Sequence, residues 1–293
     1  MKPPPFEYLR PESLDELCVM LAGTENAKIL AGGQSLMAML NLRYVFPDVL
    51  IDINRVPGLA GIEIKRDRLR IGAMTRQRKI ELDPLVNERA PIVAEALHLV
   101  GHRQTRNRGT IGGSLCHLDP AAELPTIALL HDAEIEIAKE GGRRTLPIAD
   151  FIVDYMTPGI EPNEVVVAVE IPLWQDGHGY CFHEFTRRHG DFAVASAGCL
   201  VTCDASGTID KIAIAVGGVS TVPLRGVEAE EVLSGTSGDD ATVEAALSFC
   251  DGLDVLGDFH GSADYRKHVA RSVLRKTLKT AISRARDRLG GLN

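Results

Sequence analysis

Two short segments each carry a glycine pair beside a small hydroxyl residue: Ala31-Gly-Gly-Gln-Ser35 and Thr110-Ile-Gly-Gly-Ser114. Glycine has no Cβ, so a bulky anion can approach the backbone closely, and positive φ is allowed. Successive amide N–H groups can then point into one concavity and hold phosphate oxygens. Ser35 and Ser114 can add hydroxyl donors, and a helix starting just after the loop adds its positive end. A single Gly-Gly turn after a strand is ordinarily only a turn. Two of them, each followed by helical sequence, favour a diphosphate ligand, with plain turns as the standing alternative. Other nucleotide and nucleophile motifs do not fit. There is no Gly-x-Gly-x-x-Gly and no Gly-x-x-x-x-Gly-Lys-Ser/Thr. Gly33-Gln-Ser-Leu-Met37 lacks the last glycine of a nucleophile elbow.

Further residues have chemistry to offer and a plainer role beside it. His98 and His102 sit four apart on an expected helix, which is metal-ligand spacing, but no third ligand accompanies them. The six cysteines are scattered without a Cys-x-x-Cys pair, so zinc and iron–sulfur sites are not indicated. They read as reduced, mostly buried thiols of a cytoplasmic protein. Phe192 has the core as its plain role. Arg187 and Arg188 are either a solvated pair or part of a site, and His117 lies between the second loop and Asp119.

The elements that must position these residues follow from periodicity and caps. Ser13-Leu-Asp-Glu16 is a capping box that opens a helix running to about Leu21. The apolar run 27–30 ends in glycines and reads as a buried strand, 36–42 as a helix and 49–53 as a second strand. Alternation marks strands at 62–64 and 69–71. Helices are expected over 91–100, with proline in the first turn, and over 120–130. Residues 134–138 and 165–171 return to strand character, and Gln175-Asp-Gly-His-Gly179 reads as a linker. Strands 194–202 and 209–216, joined by Asp204-Ala-Ser-Gly207, form a hairpin. Helices are expected near 241–252 and 262–289. The last is rich in Lys and Arg within an otherwise acidic chain, so Arg271, Arg275, Lys279 and Arg286 are candidates to meet an acidic partner. Three units result: an N-terminal unit over 1–58, a middle unit over 59–177 and a C-terminal unit over 178–293.

The chain has 293 residues, 45% of them hydrophobic and 25% charged, as in an ordinary globular protein with a sizeable core. Its net charge of −8 argues against broad binding to nucleic acid or anionic membranes. The start, Met-Lys-Pro-Pro-Pro-Phe, is not a secretory signal, and no apolar run is long enough to span a membrane.

Longer motifs sharpen the picture. Ala31-Gly-Gly-Gln-Ser-Leu36 followed by Asp52-Ile-Asn-Arg-Val-Pro57 resembles the FAD-binding medium subunit of the xanthine dehydrogenase and carbon monoxide dehydrogenase family of molybdenum hydroxylases. So do Arg106-Asn-Arg-Gly-Thr-Ile-Gly-Gly-Ser-Leu115 with Asp119-Pro-Ala-Ala-Glu-Leu-Pro125, and Arg187-Arg-His-Gly-Asp-Phe-Ala193. The likeness runs from the N-terminus to the last helix. It is strongest to medium subunits of dehydrogenases acting on nicotine-like N-heterocycles. The resemblance implies an α+β fold: a two-part FAD-binding region of the vanillyl-alcohol-oxidase-like (PCMH) type, then a C-terminal α+β domain with a short antiparallel sheet and helices. It implies FAD held by Ala31, Gly32, Gly33, Gln34, Ser35 and Leu36 and by Thr110, Ile111, Gly112, Gly113 and Ser114. Glu123 falls where relatives often have an aspartate bonded to the cofactor's hydroxyls, and Phe192 where they often have Tyr or Trp beside the isoalloxazine. It implies no catalytic acid or base and no metal in this chain. Partners would be a large subunit with the molybdenum cofactor and a small subunit with [2Fe–2S] clusters, as a dimer of heterotrimers in the cytoplasm. The rival reading is a self-contained FAD oxidase of the vanillyl-alcohol-oxidase type.

Overall fold

The computed structural model describes residues 2–258 and 261–290, and in it three larger sheets follow one another along the chain, with a two-stranded ladder of Ile152–Asp154 and Thr157–Pro158 beside them. In the first, Val49–Asp52 is central, with Glu7–Leu9 and Ala27–Leu30 parallel to it on either side. Parallel neighbours need crossover connections, supplied here by the helices Leu14–Gly23 and Leu36–Leu42. Ser13 caps the first of these, its Oγ accepting from the Glu16 amide at 3.1 Å. The Glu16 carboxylate reaches past Ser13 to the Glu12 amide at 2.6 Å.

The second sheet is five-stranded and antiparallel, in the order Ile62–Lys65, Arg68–Gly72, Val165–Pro172, Glu134–Lys139, Gly142–Pro147. Val165–Pro172 lies in the middle and is almost wholly buried, as its unbroken apolar run requires. Leu69, Ile71, Ile135 and Val169 share one core with Ile92, Leu97, Ile127 and Leu130 of the helices Pro91–Leu99 and Glu123–Leu130.

The third sheet pairs Gly179–Thr186, Ala193–Cys203, Ile209–Gly217 and the short Leu224–Arg225, all antiparallel. Its two faces have different partners. Cys199, Val201 and Ile214 pack with Ala270, Leu274, Leu278 and Ala281 of the long helix Ala263–Gly290. Phe182, Leu200, Ala213 and Ala215 join the core of the middle sheet instead. Gly179 lets the long helix come close: a Cβ there would stand 2.0 Å from the Ala281 carbonyl oxygen.

Several expectations shift. The helix expected over 120–130 begins at Glu123, because the Asp119 carboxylate takes the Ala121 amide and holds a turn before it. The helix expected over 241–252 is α-helical through Asp240–Ala246 and 3-10 through Leu247–Gly252. Gly179 belongs to a strand opposite Val201 rather than to a linker. The helices Gln77–Leu82, Pro84–Arg89, Arg103–Arg108 and Ile111–His117 were not foreseen, since one or two turns are too short to show a period. His98 and His102 are not on one helix: the first helix ends at Leu99 and His102 is the N-cap of the next.

The basic face of the last helix is answered within the chain. Arg275 pairs with Glu244, Arg271 with Glu244 and Asp251, and Lys279 with Asp240. This corrects the expectation of a free cationic surface at those three positions. All six cysteines are free thiols, four of them buried. Among the described residues no helix is long and apolar enough to cross a membrane.

Candidate functional site

The first glycine loop leaves the C-terminal end of Ala27–Leu30 and enters Leu36–Leu42. Gly33 takes φ +72°, which only glycine adopts without strain. Among the described residues, the amides of Gly32, Gly33, Gln34, Ser35 and Leu36 donate to no acceptor in the chain. Gly32 is buried and Gly33, Ser35 and Leu36 are half-buried, where amides are usually paired, so this run of free donors makes a candidate seat for an anion. Gln34 folds back, its amide nitrogen on the Gly32 carbonyl at 3.2 Å.

The second loop is built differently. Thr110 is the N-cap of Ile111–His117, and its Oγ1 accepts from the Gly113 amide at 3.0 Å. The Ile111 amide bonds to the Thr75 carbonyl at 3.3 Å, Gly112 to Ala73 at 2.9 Å and Ser114 to Thr110 at 3.1 Å. The expected cradle of free amides is therefore absent over 111–114, and Gly113 does not take positive φ. Gly112 is small because a Cβ would stand 2.6 Å from the Ala73 Cβ. Ile111 is buried in the core. What this segment can offer a ligand is the Thr110 and Ser114 hydroxyls.

The structure brings the two loops together. A Cβ on Gly32 would lie 2.3 Å from the Arg108 carbonyl oxygen, and one on Gly113 would lie 3.8 Å from the Ala31 Cβ. A polar chain crosses the junction. The Tyr8 hydroxyl donates to Asp52, and the Asn54 side-chain amide donates to Asp52 at 2.6 Å and to the Ala31 carbonyl at 2.9 Å. Arg76 then donates to the Asn54 side-chain oxygen at 2.6 Å and to the Arg108 carbonyl at 2.5 Å. Sequence reasoning missed Arg76, which lies in no glycine motif. Arg106, inside the quoted motif, is buried against Glu81 at 2.8 Å and serves the fold.

Glu123 and Glu184 form the side of the site toward the C-terminal unit. Burial, the Glu184 carboxylate and the Asp119 carboxylate push the Glu123 carboxyl up to about 8. Burial pushes Glu184 up to about 7, and its Oε2 is buried without a hydrogen-bond partner among the described residues. A carboxyl held neutral near pH 7 can donate a hydrogen bond to a ligand hydroxyl as well as accept one. His117 is held below its usual range by burial, with Asp119 opposing.

Phe192 is 68% exposed, which rules out the core reading. It stands at a cavity of about 380 Å³, whose wall includes Asp119, Tyr155, Arg187, Gly218 and Arg266. Arg187 pairs with Asp191 at 3.2 Å. Arg266, also unforeseen, is buried and holds the carbonyls of Val194 and Gly218 at 3.0 and 2.6 Å. The Gly218 amide in turn donates to the Pro120 carbonyl at 2.9 Å, joining the third sheet to the turn after the second loop.

The two loops thus bring free amides and hydroxyls together where the first and second sheets meet, and the exposed ring of Phe192 lines a cavity with Asp119 and Pro120 of the turn after the second loop, groups of the kinds that a dinucleotide with a diphosphate and a flat ring would use.

Known proteins share this plan. A family model for the FAD binding domain in molybdopterin dehydrogenase matches residues 4–174, and one for the CO dehydrogenase flavoprotein C-terminal domain matches residues 180–281. The alpha subunit of the 6-hydroxypseudooxynicotine dehydrogenase complex of Paenarthrobacter nicotinovorans is 42% identical, over 98% of this chain and 97% of that protein. The solved carbon monoxide dehydrogenase of Hydrogenophaga pseudoflava superposes with a TM-score of 0.94 at 36% identity, over 97% of this chain and 99% of the other. Quinoline 2-oxidoreductase of Pseudomonas putida 86 gives a TM-score of 0.93 at 35% identity, over 97% and 99%.

Proposed function

Because this chain belongs to the family of FAD-binding medium subunits of molybdenum hydroxylases, we propose that it is the electron-transfer flavoprotein subunit of such a complex. It takes electrons from [2Fe–2S] clusters of a small partner subunit and passes them to an external acceptor. The oxidation of substrate belongs to a large partner subunit with the molybdenum cofactor. The observation that carries the binding reading is the row of unpaired amides from Gly32 to Leu36. Bound FAD supplies a centre that accepts electrons one at a time and releases them as a pair.

This chain's own residues bind and orient. Gly32, Gly33, Gln34, Ser35 and Leu36 present backbone donors to the diphosphate, with Ala31 at the entry of the loop, its carbonyl held by Asn54. Thr110 and Ser114 add hydroxyls, while Ile111, Gly112 and Gly113 shape the wall beside them. Glu123 serves the cofactor's hydroxyls, with one methylene more than the aspartate that relatives often have there. Phe192 offers a stacking face without a hydroxyl. No side chain is assigned a catalytic proton transfer, and the described residues hold no cluster of metal ligands. The reading places the chain in the cytoplasm, in a dimer of heterotrimers, with unit boundaries near residues 58 and 177. An N-heterocycle is a candidate substrate for the complex. The self-contained oxidase is disfavoured because 180–281 matches a flavoprotein C-terminal domain rather than a substrate domain.

The test is direct. The purified chain should be yellow, with absorption maxima at about 370 and 450 nm, and acid should release the flavin into the supernatant, as for non-covalent FAD. Colour left in the washed pellet would contradict non-covalent binding. Failure to copurify with a large and a small subunit from the native source would contradict the assembly.

A further inference from the structure

The junction of the two loops holds more positive charge than its hydrogen bonds explain. Arg76 is half-buried and uses two of its five N–H donors, on Asn54 and on the Arg108 carbonyl. Arg108 is exposed, and its side chain bonds to nothing among the described residues. Neither guanidinium has a carboxylate within ion-pair distance, although most other arginines of the middle unit do: Arg68, Arg70, Arg78, Arg89, Arg106 and Arg144 each reach one. Burial and the neighbouring Arg108 charge lower the Arg76 pKa, and the more distant Asp52 only partly offsets them. Asp52 is itself engaged by Tyr8 and Asn54. Two like charges side by side, one of them half-buried, are unfavourable unless an anion sits with them. They do so against the backbone on which Gly32 packs, beside the loop with five free amides.

We propose that Arg76, assisted by Arg108, is a ligand of the FAD diphosphate and supplies the charge that the amides of the first loop lack. This rests on the FAD-binding reading above. Amide donors alone leave a diphosphate's negative charge uncompensated, whereas a guanidinium offers a fork matched to phosphate oxygens. The Asn54 and Arg108 carbonyl bonds fix that fork in place, so Arg76 also ties the two loops to each other.

The test uses the full chain stripped of flavin, with binding followed by titration calorimetry, which reads every probe alike. Three probes separate the contributions: FAD, ADP with a diphosphate but no flavin ring, and riboflavin with a ring but no phosphate. Arg76→Met should weaken FAD and ADP by about 10- to 100-fold, as loss of charge-assisted hydrogen bonds does. It should leave riboflavin unchanged and flatten the salt dependence of FAD affinity. Arg76→Lys keeps the charge without the fork, so it should restore the salt dependence and recover only part of the lost affinity. Arg108→Met removes only charge, breaks no bond in the chain and guards against a folding artefact. It should weaken FAD and ADP less, and reduce the salt dependence in the same sense. Equal loss for riboflavin and FAD would make Arg76 a structural brace and overturn the proposal, as would wild-type FAD affinity in both methionine variants. If the wild-type chain bound no FAD at all, the FAD reading itself would fail, and with it this inference.

Discussion

Gly33 and Gly113 are both second glycines of a pair, yet they resist substitution for different reasons. Valine at 33 must adopt φ near +72°, which a β-branched residue does at a cost of about 1–3 kcal/mol. Its Cβ would also press on Met37 Cγ at 3.2 Å. Valine at 113 would meet Thr110 Oγ1 at 2.8 Å and dislodge the N-cap, worth about 1 kcal/mol. Both variants should lose most of their flavin, and Thr110→Val should reproduce the second effect without any change at 113. Flavin-to-protein ratios near wild type in folded variants would remove these loops from the site. Glu123 makes a pH prediction. Its folded carboxyl is held at about 8, well above the ordinary value of 4.5, so between those values the folded chain binds the extra proton. Stability of the flavin-free chain should therefore fall as pH rises through that window, and Glu184, raised to about 7, acts in the same direction. Melting temperature against pH should flatten in Glu123→Gln. An unchanged slope in that variant would refute the assignment.

At the scale of elements, the long C-terminal helix is held by its apolar stripe. Leu278 is fully buried against the third sheet. Leu278→Ala should cost about 2–5 kcal/mol in denaturant unfolding, with flavin content retained in the folded fraction. The charges on the other side of that helix pair with the short helices before it. Reversing Arg271, Arg275 and Lys279 together should lower the melting temperature in low salt and leave the rate of complex assembly unchanged. A slowed assembly at low ionic strength would restore the partner-facing reading of this face. The pattern that suggested such a surface was real, but sequence alone does not say whether an excess of one sign is answered within the chain.

For the whole molecule, the glycine loops join the first and second sheets, and the bond from Gly218 to Pro120 ties the third sheet to the turn after the second loop, so a ligand at the loops should stabilise all of them together. FAD at a hundredfold excess over its dissociation constant should add about 2.7 kcal/mol, raising the melting temperature by roughly 5 °C or more in a chain of this size. Riboflavin, which cannot engage the first loop through a diphosphate, should raise it far less. Equal shifts from both would place the binding energy in the ring pocket around Phe192 rather than in the loops.

The sequence by itself determined the parts whose chemistry is local. A strand running into Gly32 and Gly33, a hydroxyl beside each pair, and the capping pattern at Ser13 depend on neighbours a few residues away, and they were legible. So were the central strand at 165–171 and the hairpin at 194–216, where long apolar or alternating runs leave little choice. The tertiary structure alone decided which amides remain free. The two glycine pairs look equivalent in sequence. The second gives two of its donors to the Ala73 and Thr75 carbonyls, which reach it only because the strand Arg68–Gly72 ends beside it. Arg76 and Arg266 carry no signature for the same reason: the partners of Arg76 and the carbonyls that Arg266 holds lie 22 to 72 positions away. Periodicity reports on the faces of one element, whereas donors and charges are satisfied or left open by whatever the fold brings against them.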